Sequence, residues 1–192
     1  MLLKRDGSAS SVAFSGIMLA LSFILMMLGS MIEVSTLFFL AAAAFCIGIV
    51  IREQGLKAGA AFLAASLLFV FFLAPNKLYG LTVIGMEAYL LAREGLWEWL
   101  DRRGRKRKEE PTLSVKSMKR RYAAGKFVIF QILFLPFVFL TPQLFLAGEI
   151  TGPMRFGLIA AGDLGWLIGD LAYDVFQRQI WGRMRRQLKW NR

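Results

Sequence analysis

The sequence predicts an all-α integral membrane protein: a six-transmembrane-helix bundle in one domain, residues 1–192, with both termini cytoplasmic. Three observations carry the prediction. Of 192 residues, 57% are hydrophobic, and the mean hydropathy is +0.54. That exceeds the apolar share of ordinary soluble domains and suits a chain whose exterior faces lipid. Six stretches approach the roughly 20 apolar residues that span a bilayer. The basic residues lie beside alternate connections, as they do when one side of a membrane is cytoplasmic.

The first span covers residues 11–28, "SVAFSGIMLALSFILMML". The preceding polar stretch "MLLKRDGSAS" lacks a cleavage signature, so this run is expected to be retained. The second covers 35–51, "STLFFLAAAAFCIGIVI", and the third 57–73, "KAGAAFLAASLLFVFFL". The fourth, 78–100, carries charges within "LYGLTVIGMEAYLLAREGLWEWL". The fifth, about 123–146, contains Gln131, Pro136 and Pro142, and proline frees a carbonyl one turn earlier. The sixth, about 156–178, contains "AAGDLGWLIGDLAYDVFQRQ".

Orientation follows from the flanking charge. Lys4 and Arg5 precede the first span, and Arg52 and Lys57 sit in the second-to-third turn. A basic loop at 101–121 runs from Arg102 and Arg103 to Arg120 and Arg121, and a basic tail at 179–192 follows the last span. The opposite connections hold only Lys77 and Arg155. Placing the basic side in the cytoplasm satisfies the positive-inside rule. Trp97, Trp99 and Trp181 then fall at the cytoplasmic interface. The basic loop reads as a solvated orientation signal that also touches anionic lipid headgroups.

The net charge of +11 therefore points to a membrane rather than to nucleic acid, since no soluble fold presents interleaved basic and stacking residues. The single cysteine, Cys46, excludes an intrachain disulfide, and the absence of histidine excludes Ser–His, Cys–His and histidine-ligated metal chemistry. No metal or cofactor site is expected.

Ionisable residues inside spans cost about 2.5–3.5 kcal/mol each at the centre and normally face the protein interior. At 100° per residue, Asp163, Asp170 and Asp174 fall within about 40° of one line on the sixth span, with Gln177 beside them. Gly162, Gly165 and Gly169 offer small surfaces for helix packing. Asp174 is expected to form a structural ion pair with Arg93 or Lys126. Glu87, Gln131 and Asp170 form a central polar group at a depth where no basic residue is evident. Buried polarity concentrates in the last three spans, which marks them as the functional half and the first three as apolar scaffold. Gly16 and Ala20 form a small-xxx-small pair on the first span.

With six short spans and cytoplasmic termini, the chain resembles the substrate-binding S components of energy-coupling factor transporters, in which a small-xxx-small motif on the first span docks the transmembrane coupling subunit. Gly16 and Ala20 match that motif. The stretches "GIMLALSFILMMLGSMI", "LAPNKLYGLTVIGMEAYLLARE" and "LAYDVFQRQIWGRMRR" also look like a family of small, mostly uncharacterised Gram-positive membrane proteins. Pro75, Asn76 and Lys77 match its proline-Asx-Lys turn, and Tyr173 and Asp174 its Tyr-Asp pair. The resemblance, over roughly residues 11–190, implies an outward solute pocket formed by Glu33, Asn76, Lys77, Tyr79, Asp163 and Trp166.

The leading expectation is a subunit that captures a small solute from outside. It would work with a coupling subunit and partner ATPases, since the chain has no G-x-x-x-x-G-K-[ST] loop. A second is a non-catalytic assembly protein that recruits partners through its basic cytoplasmic surface. A third is a metal-dependent enzyme acting on lipid. Asp170 and Asp174 are similar to the Asp-x-x-x-Asp element of CDP-alcohol phosphotransferases, but the preceding Asp-Gly-x-x-Ala-Arg portion is missing.

Overall fold

A computed structural model of the protein describes residues 4–32, 35–74, 76–106, 111–140 and 152–183. The described residues contain six α-helices and no strand: α1 (Lys4–Met31), α2 (Thr36–Gln54), α3 (Leu56–Leu73), α4 (Lys77–Lys106), α5 (Pro111–Leu140) and α6 (Gly152–Val175). A π-helical stretch, Phe176–Trp181, continues α6. Among the described residues, four segments are long and apolar enough to cross a membrane: Ala9–Met31, Thr36–Gln54, Leu56–Leu73 and Phe156–Gln179.

The chain divides into two compact units, Met1–Tyr122 and Ala123–Arg192. In the first, α2 is the central element, packed on α1, α3 and α4. Its residues from Cys46 to Ile51 are all buried. Met26, Leu40, Ala43, Ala74 and Val83 bring α1, α2 and α4 and the end of α3 into one core.

Polarity is distributed inside out relative to a soluble bundle. Phe71 and Phe72 are 70% and 72% exposed, whereas Glu87 is 0% and Arg93 3% exposed. Large apolar side chains turned outward and charges turned inward are what a lipid-facing surface requires.

Local chemistry fixes the connections. Gly55, at φ 91°, turns α2 into α3, in a region that costs L-residues strain. Its N–H donates to the Ile51 carbonyl at 2.7 Å. Gly59, one turn into α3, lets the helices approach closely: a Cβ there would lie 2.3 Å from Ile51 Cγ1. Across the α1–α2 pair, Ser15 Oγ donates to Gln54 Oε1 at 2.9 Å, and Gln54 Nε2 donates to the Ser11 carbonyl at 2.8 Å.

The segment expected as a hydrophilic loop at 101–121 is largely helical, because α4 runs to Lys106 and α5 starts at Pro111. Lys, Arg and Glu are good helix formers, and proline is favoured at a first helical position. Glu98 and Arg102 also form an i,i+4 ion pair along α4. Residues 107–110, 141–151 and 184–192 lie outside the described residues, as do Glu33 and Pro75.

Candidate functional site

Two polar clusters stand among the apolar helices, one in each unit. In the first unit, the fully buried Glu87 of α4 is met by hydroxyls from two other helices. Ser66 Oγ of α3 donates to Glu87 Oε1 at 3.0 Å, and Ser22 Oγ of α1 donates to the same oxygen at 3.4 Å. Glu87 Oε2 is buried without a partner. A cavity of about 10 Å³, of the order of one water molecule, is lined by Ser22, Ser66 and apolar neighbours that include Val83.

This corrects the reading of the first three spans as apolar scaffold. Ser22 and Ser66 are single small polar residues in long apolar runs, and a serine costs little inside an apolar helix. Composition therefore does not show that both face the same carboxylate.

Further along α4, Arg93 Nε donates to Tyr122 Oη at 3.0 Å. The Trp97 ring packs edge-on against Tyr122, with centroids 5.0 Å apart. Tyr122, just before the predicted fifth span, is a partner that the sequence reading missed.

The residues expected to line an outer pocket near the third span instead close the α3–α4 corner. The Leu78 N–H donates to Asn76 Oδ1 at 3.0 Å, so Asn76 caps α4. Lys77 Nζ donates to the Val70 and Phe71 carbonyls in the last turn of α3. Tyr79 packs against the core of the first unit. All three are thus engaged locally. The fourth member on this side, Glu33, lies outside the described residues.

The second unit contains a polar ladder between α5 and α6. Gln131 Nε2 donates to Asp163 Oδ1 at 2.8 Å. Lys126 Nζ is bonded to Asp170 Oδ2, with the two side chains only 12% and 13% exposed. The ladder follows from antiparallel geometry. With Gln131 fixed on Asp163, Lys126 lies about 7.5 Å back along α5 and Asp170 about 10.5 Å on along α6, at 1.5 Å per residue. The lysine stem spans the difference of about 3 Å. The expectation that no base reaches Asp170 is therefore corrected: a lysine's reach sets its level, not its Cα depth. Asp174 follows one turn later and is partly buried.

Between the two rungs sits Trp166. Its ring stacks on Phe130 at 5.5 Å and meets Phe127 edge-on at 5.5 Å. Phe134 stacks on Phe130 at 5.0 Å. Gly162 admits this aromatic wall, since a Cβ there would fall 2.3 Å from Phe134 Cζ. Gly165 and Gly169, which were also expected to pack closely, have no atom within 4 Å of such a Cβ. The opposite face of α6 is apolar and open, with Leu164, Ile168 and Leu171 all more than half exposed.

The ladder leaves two polar atoms uncommitted. Trp166 Nε1, a donor, and Gln131 Oε1, an acceptor, are buried without partners. Buried polar groups normally find partners, so such pairs are sites where a ligand's own polar groups would be satisfied. Gly16 and Ala20 are exposed on α1, with nothing within 4 Å of a Cβ at Gly16. Among the described residues no group of three or more His, Cys, Asp or Glu is arranged to hold a metal ion. No family model, curated protein or solved structure matches the chain.

Proposed function

We propose that the chain is a six-span protein of the cell membrane, with both termini cytoplasmic, that binds a small polar solute and serves a partner transport complex. The observation that carries the solute reading is that two polar atoms of this helix pair, Trp166 Nε1 and Gln131 Oε1, are buried without partners, the Gln131 amide being bonded to Asp163 through its other atom. A ligand with a hydroxyl or amide would donate to Gln131 and accept from Trp166, while Asp163 selects for donors. The aromatic wall excludes water and gives the solute an apolar face. Asn76 and Lys77 are engaged at the α3–α4 corner. The uncovered Gly16 and Ala20 face supports docking of a transmembrane coupling subunit through close helix packing. Energy would come from that partner's ATPases.

The lipid-enzyme reading is weakened by the Lys126 ammonium, which occupies Asp170, the carboxylate that reading needs as a metal ligand.

The test is native mass spectrometry of protein released from nanodiscs after expression in its own host. A retained small molecule is expected in the wild type, to be lost in Gln131→Leu and Trp166→Phe. If wild type and both variants release no solute under any growth condition, or all retain the same one, the reading is wrong. Co-purification of ATPases that fails in Gly16→Leu would support the transport role.

A further inference from the structure

A second site lies in the first unit, between the C-terminal part of α4 and α5, and nothing in the solute reading uses it. Leu96, Trp99, Leu100 and Arg103 are spaced i, i+3, i+4, i+7 along one face of α4. With Arg121 of α5 they line a groove of about 390 Å³, within the usual range for ligand sites. We propose that this groove binds the phosphate of an anionic glycerophospholipid from the cytoplasmic leaflet.

Depth is the first argument. Trp99 lies 22 residues and Arg103 26 residues beyond the first residue of α4, Lys77. At 1.5 Å per residue these are about 33 Å and about 39 Å, against a hydrocarbon thickness of about 30 Å. This depth rests on the six-span reading proposed above, in which α4 crosses the bilayer and the groove stands at the headgroup level, where tryptophan is favoured.

Chemical pattern is the second. Leu96 and Leu100 give the lining an apolar part, and Arg103 and Arg121 give it positive charge. Both arginines are exposed. The Arg103 guanidinium lies 5.0 Å over the Trp99 ring, a cation–π contact that holds the charged group beside the tryptophan. Two guanidiniums from different helices suit a phosphate that accepts bidentate hydrogen bonds, and the adjacent leucines suit the start of an acyl chain. A free anion would use the arginines but leave the apolar part wet. A lipid uses both. The neighbouring Arg102 is bonded to Glu98 along its own helix and does not line the groove.

The experiment uses full-length protein in phosphatidylcholine nanodiscs doped with brominated phosphatidylglycerol or, separately, brominated phosphatidylcholine, with tryptophan quenching as the readout. Wild type should be quenched more strongly by the anionic lipid, and Trp99→Phe should remove most of that excess. Arg103→Gln/Arg121→Gln should weaken apparent affinity for the anionic lipid by roughly thirtyfold, the combined effect of two charges at an anionic surface. Arg102→Gln should leave it within about threefold, as for a single charge screened by its own partner. Equal losses in Arg102→Gln and the double variant would mean diffuse attraction and overturn the proposal. So would excess quenching that survives Trp99→Phe, or its complete abolition by inorganic phosphate at matched ionic strength, which would assign the groove to a free anion.

Discussion

The Lys126–Asp170 pair gives the sharpest test of the α5–α6 ladder. Both side chains are close to nine-tenths buried, so neither charge is well solvated when the other is removed. Replacing Lys126 by Met keeps most of the stem volume but takes the ammonium from the Asp170 carboxylate. Removing one partner of a buried pair typically costs about 3–5 kcal/mol. Asp170→Leu leaves the ammonium instead, and its flexible stem can snorkel toward the interface, so the cost should be smaller, at about 2–3 kcal/mol. The double variant Lys126→Met/Asp170→Leu removes both charges together and should lie within about 1 kcal/mol of wild type, or above it. Unfolding by SDS in mixed micelles, followed by far-UV circular dichroism, measures all four corners of the cycle. These values imply a coupling energy of about 4–8 kcal/mol, larger than for an exposed pair because each single variant strands a buried charge. If Lys126→Met unfolds with wild type, or the double variant loses the sum of the single losses, the two residues do not form the pair described.

The other contacts make predictions of their own. Ser66→Ala should destabilise more than Ser22→Ala, because its bond to Glu87 is 3.0 Å rather than 3.4 Å; each loss should fall within about 1–3 kcal/mol in the same unfolding assay, and the reverse order would contradict the cluster geometry. Gly162→Ala should cost about 1–3 kcal/mol by pushing on the Phe134 ring, whereas Gly165→Ala, with nothing within 4 Å, should be neutral or slightly stabilising through helix propensity. Asn76→Ala removes the cap of α4 and should lower the unfolding midpoint by an amount equivalent to about 1 kcal/mol, with Asn76→Asp as the conservative control.

Several features were legible in the sequence because they follow from periodicity and composition. The acidic stripe on α6 came from residues at seven- and four-residue spacing, and two of its members, Asp163 and Asp170, do meet α5. The α2–α3 turn was placed within a few residues, since a short stretch carrying Arg52 and Lys57 separates two apolar runs. The local engagement of Asn76 and Lys77 was not legible in the sequence. A polar residue at a helix start has backbone groups to satisfy before it has any ligand to bind, and Asn76 and Lys77 are used that way. The basic loop was misread because charged residues suit an exposed helix as well as they suit a coil.

What the sequence determined by itself is the solvent each segment demands: apolar runs long enough for a bilayer, charge held to alternate connections, and a helix with one acidic face. Those properties are sums over neighbouring residues, so order along the chain fixes them. Only the tertiary structure decided which groups are partners. That Ser22 and Ser66 converge on Glu87, that Tyr122 meets Arg93, and that Lys126 reaches Asp170 all depend on the register and rotation of one helix against another. Shifting one helix by a single residue rotates its side chains by about 100° while leaving its composition unchanged. Close approaches such as Gly162 on Phe134 set that register, and no segment of the chain contains them alone.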